Sequence, residues 1–244
     1  MGLLDSEPIP RRTMVLFFIV DTSGSMSGSK IGSVNTAIHE ILPELKDISK
    51  ENADAQIKIA ALDFSSGAKW LYDEPRDADI FRWNDLTAGG ITDFGKACKM
   101  LNQKLSRKAF MQDVVGAFAP VIILLSDGEP TDDYKKEIDQ LKTNNWFNAA
   151  IKIAIAIGED ANQDILKEFT GNSECVVRVE NPEMLKKMIR FTSVRASQIG
   201  SRSTGIGVET KQEEMGKQIQ DFVKDDLPTI QDIQSPSSVN IDDW

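Results

Sequence analysis

Hydrophobic positions along the chain fall into continuous runs that alternate with segments of helical period. The runs TMVLFFIV, APVIILLS and AIKIAIAIG are apolar throughout, which is typical of strands covered on both faces. Further strands are predicted at AQIKIAALDFSS, with AKWLYDE as its short hairpin partner, and at ECVVRVE. The pattern therefore predicts a sheet built mainly of buried strands.

Helices are predicted between these strands from apolar residues at spacings of three and four. The helical segments are 30–51, 92–111, 132–147, 162–171 and 181–200. Pro43 is expected to kink or reset the first of them, and Gly171 and Asn181-Pro182 carry the chemistry of a helix end and a helix start. Strands alternating with helices predict an α/β fold, in which a doubly wound, mostly parallel sheet has helices on both faces.

The two ends of the chain differ from the middle in character. Residues 1–12 carry two prolines and are expected to form a loose arm, which leaves 13–198 as the folded domain. Residues 199–244 are polar and acidic, which predicts a flexible tail, although Met215–Val223 has the spacing of a short amphipathic helix. The ending VNIDDW is either an untethered end or a linear motif that docks on a partner through Ile241 and Trp244.

Bulk composition excludes several classes of protein. The formal net charge is −10, which disfavours binding to nucleic acid or to an anionic membrane. No stretch has the roughly 20 apolar residues of a membrane span, and the run that ends at Val20 is too short for a signal peptide. Cys98 and Cys175 lack the spacing of a metal or redox pair. We expect a cytoplasmic protein with two buried thiols.

Candidate chemistry lies in three loops that each follow a strand or precede a helix. Asp21, Ser23 and Ser25 come from the first, Thr92 from the second and Asp127 from the third. Carboxyl ends of parallel strands meet at one edge of a sheet, so the loops with Asp21 and Asp127 should face one crevice. All five residues offer oxygen, the ligand that Mg²⁺ prefers. An extended first loop would turn its three side chains to the same side.

These motifs also have other interpretations. Each motif alone is ordinary turn or cap chemistry. GSMSGSK fails the phosphate-loop pattern because no Ser or Thr follows Lys30 directly. A metal-dependent hydrolase would need a general base, for which Glu129 and Asp132 are the near candidates. His39 lies in the first long helix, so no Ser-His-Asp or Cys-His set is expected, and we predict that the protein is not an enzyme.

The motifs VDTSGSMSG, GGITDFGKA and LLSDGEPTD, in this order, resemble a von Willebrand factor type A (VWA) domain with a complete metal-ion-dependent adhesion site (MIDAS). The resemblance spans about residues 13–196 and is greatest to the bacterial tellurite-resistance TerY-like subfamily. It implies a Rossmann-like fold. It also implies a metal site made of the five residues Asp21, Ser23, Ser25, Thr92 and Asp127. One departure is Ile91, which separates Gly90 from Thr92, where many relatives have Gly and Thr adjacent; Asp93 is the next residue after Thr92.

The resemblance also implies a function. It suggests a metal-dependent protein-binding adaptor in a bacterial stress-response or defence system, with Mg²⁺ (or Mn²⁺ or Ca²⁺) bound and with a kinase or phosphatase as partner. The alternative is an adaptor of a AAA+ ATPase, as in chelatase or cofactor-insertion systems. Extracellular adhesion is disfavoured because neither a signal peptide nor a disulfide is predicted.

Overall fold

The computed structural model describes residues 11–113, 116–159, 161–203 and 209–226. Seven strands in these residues form one sheet. They are β1 (Arg12–Asp21), β2 (Ala55–Ser65), β3 (Gly67–Trp70), β4 (Arg76–Asp77), β5 (Val121–Ser126), β6 (Ile151–Ile157) and β7 (Val176–Val179). The order is β3-β2-β1-β5-β6-β7, and β4 also pairs with β2. Five strands are mutually parallel, and the short β3 and β4 run antiparallel to β2.

Helices cover both faces of the sheet, so the predicted fold class is confirmed. The helices are α1 (Ser29–Glu51), α2 (Phe94–Lys104), α3 (Lys135–Lys142), α4 (Asn145–Ala149), α5 (Gln163–Thr170), α6 (Pro182–Gly200) and α7 (Lys211–Asp226). Alternate residues of β1 divide the core: Leu16 and Phe18 pack towards α1, α6 and α7. Phe17 and Ile19 pack towards α2, α3 and α5. This two-sided burial explains why the strand is apolar throughout.

Most predicted elements appear close to their expected positions, with three differences. The segment 132–147 divides into α3 and α4 because the Asn144 side chain accepts a hydrogen bond from Trp146 N and starts a new helix. The segment 92–111 is helical only as far as Lys104. Pro43 lies within an uninterrupted α1, so the helix is not reset there. None of the helices in the described ranges has the length and apolar character needed to cross a membrane.

The short amphipathic helix predicted at Met215–Val223 is present within α7, so the described part of 199–244 differs from the flexible tail that composition predicts. α6 continues to Gly200, and α7 packs on the domain with Met215 and Ile219 fully buried. The Gln212 side chain adds two hydrogen bonds, to Lys152 N at 2.7 Å and to Lys152 O at 2.9 Å. A polar segment can therefore join an existing core through a narrow apolar stripe without having a core of its own. The ending VNIDDW lies outside the described residues.

The boundary of the N-terminal arm also shifts. Arg12 is the first residue of β1, so the arm predicted over 1–12 ends earlier than expected. The Arg11 guanidinium donates to Ser49 O at 2.6 Å and to Asn52 O at 2.9 Å, two carbonyls near the end of α1. These bonds attach Arg11 to the domain. They also supply hydrogen-bond donors to carbonyls at the end of α1, which have no partner within the helix. Residues 1–10 lie outside the described part.

Candidate metal centre

The first loop begins where β1 ends and fixes one carboxylate in the interior. Asp21 is fully buried. Its Oδ1 accepts from Ser23 N at 2.8 Å and its Oδ2 accepts from Ser126 Oγ at 2.7 Å. Burial raises the pKa of Asp21, the hydrogen bonds from Ser23 and Ser126 oppose that effect, and the nearby charge of Asp127 adds to it. A cation beside this carboxylate would offset the cost of its burial.

The two serines of the first loop lie side by side. Ser23 is extended and a 3₁₀ turn follows at Gly24–Met26, so the loop is not the simple extended segment that was predicted. The two hydroxyl oxygens are nevertheless 3.0 Å apart, and Ser25 Oγ donates to Asp127 Oδ1 at 2.7 Å. The expected meeting of the loops with Asp21 and Asp127 is therefore confirmed in the geometry of the structure.

Thr92 is held in place by both neighbouring loops. Gly24 N donates to Gly90 O at 3.1 Å, which connects the first loop to the second. Thr92 N donates to Thr131 Oγ1 at 3.0 Å, and Thr131 N donates to Thr92 O at 2.9 Å, which connects the second loop to the third. Thr92 is buried, whereas the adjacent Ile91 is 52% exposed. The extra residue thus projects outward and leaves Thr92 facing the interior.

Oxygen atoms from the first and second loops converge beside Gly128, which belongs to the third loop. A Cβ built on Gly128 would lie 3.5 Å from Thr92 Oγ1, 3.6 Å from Ser25 Oγ and 3.8 Å from Asp21 Oδ2. Glycine leaves this space free, whereas any other residue would place a carbon there. The structure therefore brings the predicted residues of all three loops to one small space.

The donor set fits a hard cation. It comprises two carboxylates and three hydroxyls, and Mg²⁺ and related ions prefer oxygen of this kind. The described residues contain no group of three or more His, Cys, Asp or Glu suited to a metal. A site of nitrogen or sulfur ligands is therefore not supported there, and the hydroxyl-rich set of Asp21, Ser23, Ser25, Thr92 and Asp127 remains the candidate.

Candidate general bases near the site are engaged elsewhere. Asp132 accepts from Gly95 N at 3.0 Å and from Lys96 N at 3.2 Å, so it caps the start of α2. Glu129 accepts from the side chain of Asn162 at 3.0 Å. Asp93, the neighbour of Thr92, is paired with Lys96.

The remaining side chains with candidate chemistry lie apart from this centre. His39 lies on α1 and is paired with Asp85 at 2.8 Å, with both side chains exposed. Cys98 and Cys175 are buried free thiols, as predicted.

Sequence reasoning missed four contributors to this centre. Ser126 orients Asp21, Thr131 holds Thr92, Gly128 leaves the space free, and Lys30 pairs with Asp127. Ser126 and Gly128 flank Asp127 in the motif LLSDGEPTD, but their roles depend on contacts with other loops. A hydroxyl next to a buried carboxylate at a strand end is the signal that would have identified Ser126.

Comparison with known protein families identifies the domain. A model of the family described as von Willebrand factor type A domain matches residues 16–190. The chain belongs to this family. VWA domains are generally metal-dependent protein-interaction modules. The match begins within β1 and ends within α6, and so includes all three loops of the candidate centre.

Individual relatives of this VWA domain are distant. Inter-alpha-trypsin inhibitor heavy chain 4 of mouse is 25% identical over 167 residues, which cover 67% of this chain and 17% of that protein. The chain thus spans less than a fifth of that curated relative. A von Willebrand factor type A structure from Catenulispora acidiphila has a TM-score of 0.57 at 19% identity, over 76% of this chain and 43% of the other.

A second similar structure contains a metal ion. Proximal thread matrix protein 1 from the mussel byssus, described with a zinc-occupied MIDAS motif, has a TM-score of 0.57 at 15% identity. The match covers 77% of this chain and 48% of that one. At this identity the likeness shows a shared fold.

Proposed function

We propose that this VWA domain binds a divalent cation and uses it to bind a carboxylate of a partner protein. Mg²⁺ is the expected ion, with Mn²⁺ and Ca²⁺ as alternatives, and the proposed ligands are Asp21, Ser23, Ser25, Thr92 and Asp127. The observation that carries the proposal is the convergence of Thr92, Ser25 and Asp21 oxygens on the space left by Gly128. The zinc-occupied MIDAS of the similar mussel protein supports it.

The chemistry of the donor set favours binding over catalysis. Neutral hydroxyls offset the charge of a divalent cation poorly, and Mg²⁺ requires six ligands. A cation held this way stays electrophilic towards an external carboxylate, which completes its coordination. Activation of a water would need a base at the site, and Asp132 and Glu129 are hydrogen-bonded elsewhere. We therefore propose a module that is not an enzyme.

The biological setting is proposed from the motif resemblance alone. It is an adaptor inside a bacterial cell, in a tellurite-resistance-like stress or defence system, with a kinase or phosphatase as partner. An adaptor of a AAA+ ATPase is the second candidate. Partners can be captured from a bacterial lysate with Mg²⁺ and again with a chelator. A kinase or phosphatase retained only with metal supports the first setting, and a AAA+ ATPase retained only with metal supports the second.

Calorimetric titration with Mg²⁺ and Mn²⁺ tests the metal site directly. The wild-type chain should bind one ion weakly, because few charged ligands contact it. Asp21→Ala should abolish binding and keep the circular dichroism spectrum. The matched control is Asp85→Ala, which removes an exposed carboxylate paired with His39 and should bind as the wild type does. Equal affinity in wild type and Asp21→Ala contradicts the assignment.

A further inference from the structure

A lysine side chain already occupies one side of the candidate metal centre. Lys30 is the second residue of α1, and its Nζ is in direct contact with Asp127 Oδ2. The Asp127 side chain is fully buried, whereas that of Lys30 is 35% exposed. The other oxygen, Asp127 Oδ1, accepts from Ser25 Oγ at 2.7 Å. The carboxylate is therefore shared between a proposed metal ligand and an ammonium group of the same chain.

The end of β6 leaves room for this lysine. Gly158 follows β6 and has φ of +96°, a conformation that side chains rarely adopt. A Cβ built on Gly158 would lie 3.4 Å from Lys30 Nζ and 3.5 Å from Lys30 Cε. Gly158 N donates to Val179 O at 2.7 Å, which fixes the backbone at that position. The ammonium group thus lies in a prepared position between α1, the third loop and the end of β6.

We propose that Lys30 is a tethered cation that competes with the metal for Asp127 and keeps the metal-loaded site electropositive. This inference rests on the proposed metal centre. Two carboxylates, Asp21 and Asp127, balance the charge of a divalent cation, so the ammonium group of Lys30 is an uncompensated positive charge once the ion is bound. A positive ligand site attracts an incoming carboxylate and repels a second cation.

Two opposite consequences follow from one charge. Loss of the ammonium group should tighten binding of the free metal, because Asp127 no longer has an internal cation and like-charge repulsion disappears. The same loss should weaken the preference of the loaded site for an external carboxylate, because the site becomes neutral. A lysine that only supported the fold would not produce both changes, and its removal would leave metal affinity the same or lower.

The first test is calorimetric titration of the full chain with Mn²⁺. Lys30→Gln removes the charge and keeps a polar side chain of similar length. We expect its Mn²⁺ affinity to rise by roughly 5- to 150-fold, the range of couplings between two ligands on one protein. Lys96→Gln is the matched control, since Lys96 pairs with Asp93 outside the proposed ligand set, and should remain within about twofold of wild type. An unchanged or weaker affinity in Lys30→Gln overturns the inference.

The second test measures the carboxylate preference with acetate as the probe. Mn²⁺ titrations in sodium acetate and in sodium chloride of equal ionic strength give the gain in apparent affinity that acetate provides. The gain should be smaller in Lys30→Gln than in wild type and in Lys96→Gln. An equal gain overturns the inference. If wild type binds no metal, both the proposed function and this inference fail. If wild type binds and Asp21→Ala does not, a negative result for Lys30→Gln counts against the lysine alone.

Discussion

Ser126 Oγ donates a hydrogen bond of 2.7 Å to Asp21 Oδ2 and so joins the ends of two adjacent parallel strands. Val20 lies opposite Leu125 in the register of β1 and β5, which places the next residue of each strand side by side. The hydroxyl satisfies one oxygen of a buried carboxylate, and Ser23 N satisfies the other. The position of Asp21 is therefore set by two strands before any ion binds.

Ser126→Ala should destabilise the metal-free protein by about 1–3 kcal/mol, because Asp21 Oδ2 is left buried without a donor. The cost should shrink in saturating Mn²⁺ if the ion takes the place of the lost hydroxyl. Urea unfolding with chelator and with Mn²⁺ measures both values. Ser27→Ala changes an exposed residue of the loop that follows Asp21, and it should change stability by less than about 0.5 kcal/mol. A cost that is the same with and without Mn²⁺ would show that Asp21 does not contact the ion.

Gly128→Ala should separate metal binding from folding. The added methyl group would meet Thr92 Oγ1, Ser25 Oγ and Asp21 Oδ2 at 3.5–3.8 Å, which is ordinary van der Waals contact. The fold should therefore survive while the space for a cation and its waters is lost, and calorimetry should detect no Mn²⁺ binding. Gly32→Ala is the control, since a Cβ there meets nothing within 4 Å. In the interior of α1 it should raise stability by about 0.5–1 kcal/mol and leave Mn²⁺ affinity unchanged.

The sequence indicated the fold and the five candidate residues because both depend on local patterns. An apolar run followed by Asp21, Ser23 and Ser25 places these side chains at a strand end. The role of Lys30 was not predictable in the same way. Its partner, Asp127, is 97 positions away, and the contact requires the space that Gly158 leaves at a third element. Such a contact depends on three-dimensional packing rather than on spacing along the chain.

The C-terminal helix shows the limit of composition as a guide. Residues 211–226 are largely polar, so their average hydrophobicity predicts no core. Two side chains, Met215 and Ile219, are nevertheless fully buried against the layer that contains α6. Whether a stripe this narrow stays exposed or docks depends on the surface available elsewhere in the domain. The segment alone does not contain that information.

Met215→Ala should cost about 2–5 kcal/mol, the usual range for truncating a buried large apolar side chain. The physical reason is the cavity left between α7 and the layer that contains α6. Lys224→Ala, at an exposed position of the same helix, should cost less than about 0.5 kcal/mol. Urea unfolding of the full chain measures both. A Met215→Ala cost as small as that of the control would contradict the docking of α7.

Asp21→Asn should make the metal-free protein more stable at neutral pH, and the gain should depend on pH with a definite sign. Burial raises the pKa of Asp21 above its ordinary value of 3.8, so the folded state binds this proton more tightly than the unfolded chain does. The penalty of the buried charge is absent below 3.8. It grows as the pH rises towards the folded pKa, and it is fully present above that value. Asparagine keeps the size and removes the charge, so the two proteins should be equally stable in acid and diverge towards neutral pH.

Metal should reverse this order of stability. Saturating Mn²⁺ stabilises the folded state that binds it. Only the protein with the Asp21 carboxylate is expected to bind Mn²⁺, so only wild type should gain stability. Urea unfolding with a chelator, from below the ordinary pKa of Asp21 to neutral pH, gives the first curve, and repetition in Mn²⁺ gives the second. Asp85→Asn, which changes an exposed acid, should follow wild type in both series. If Asp21→Asn is less stable than wild type at neutral pH without metal, the buried carboxylate does not carry the predicted cost and its pairing with a cation loses its physical basis.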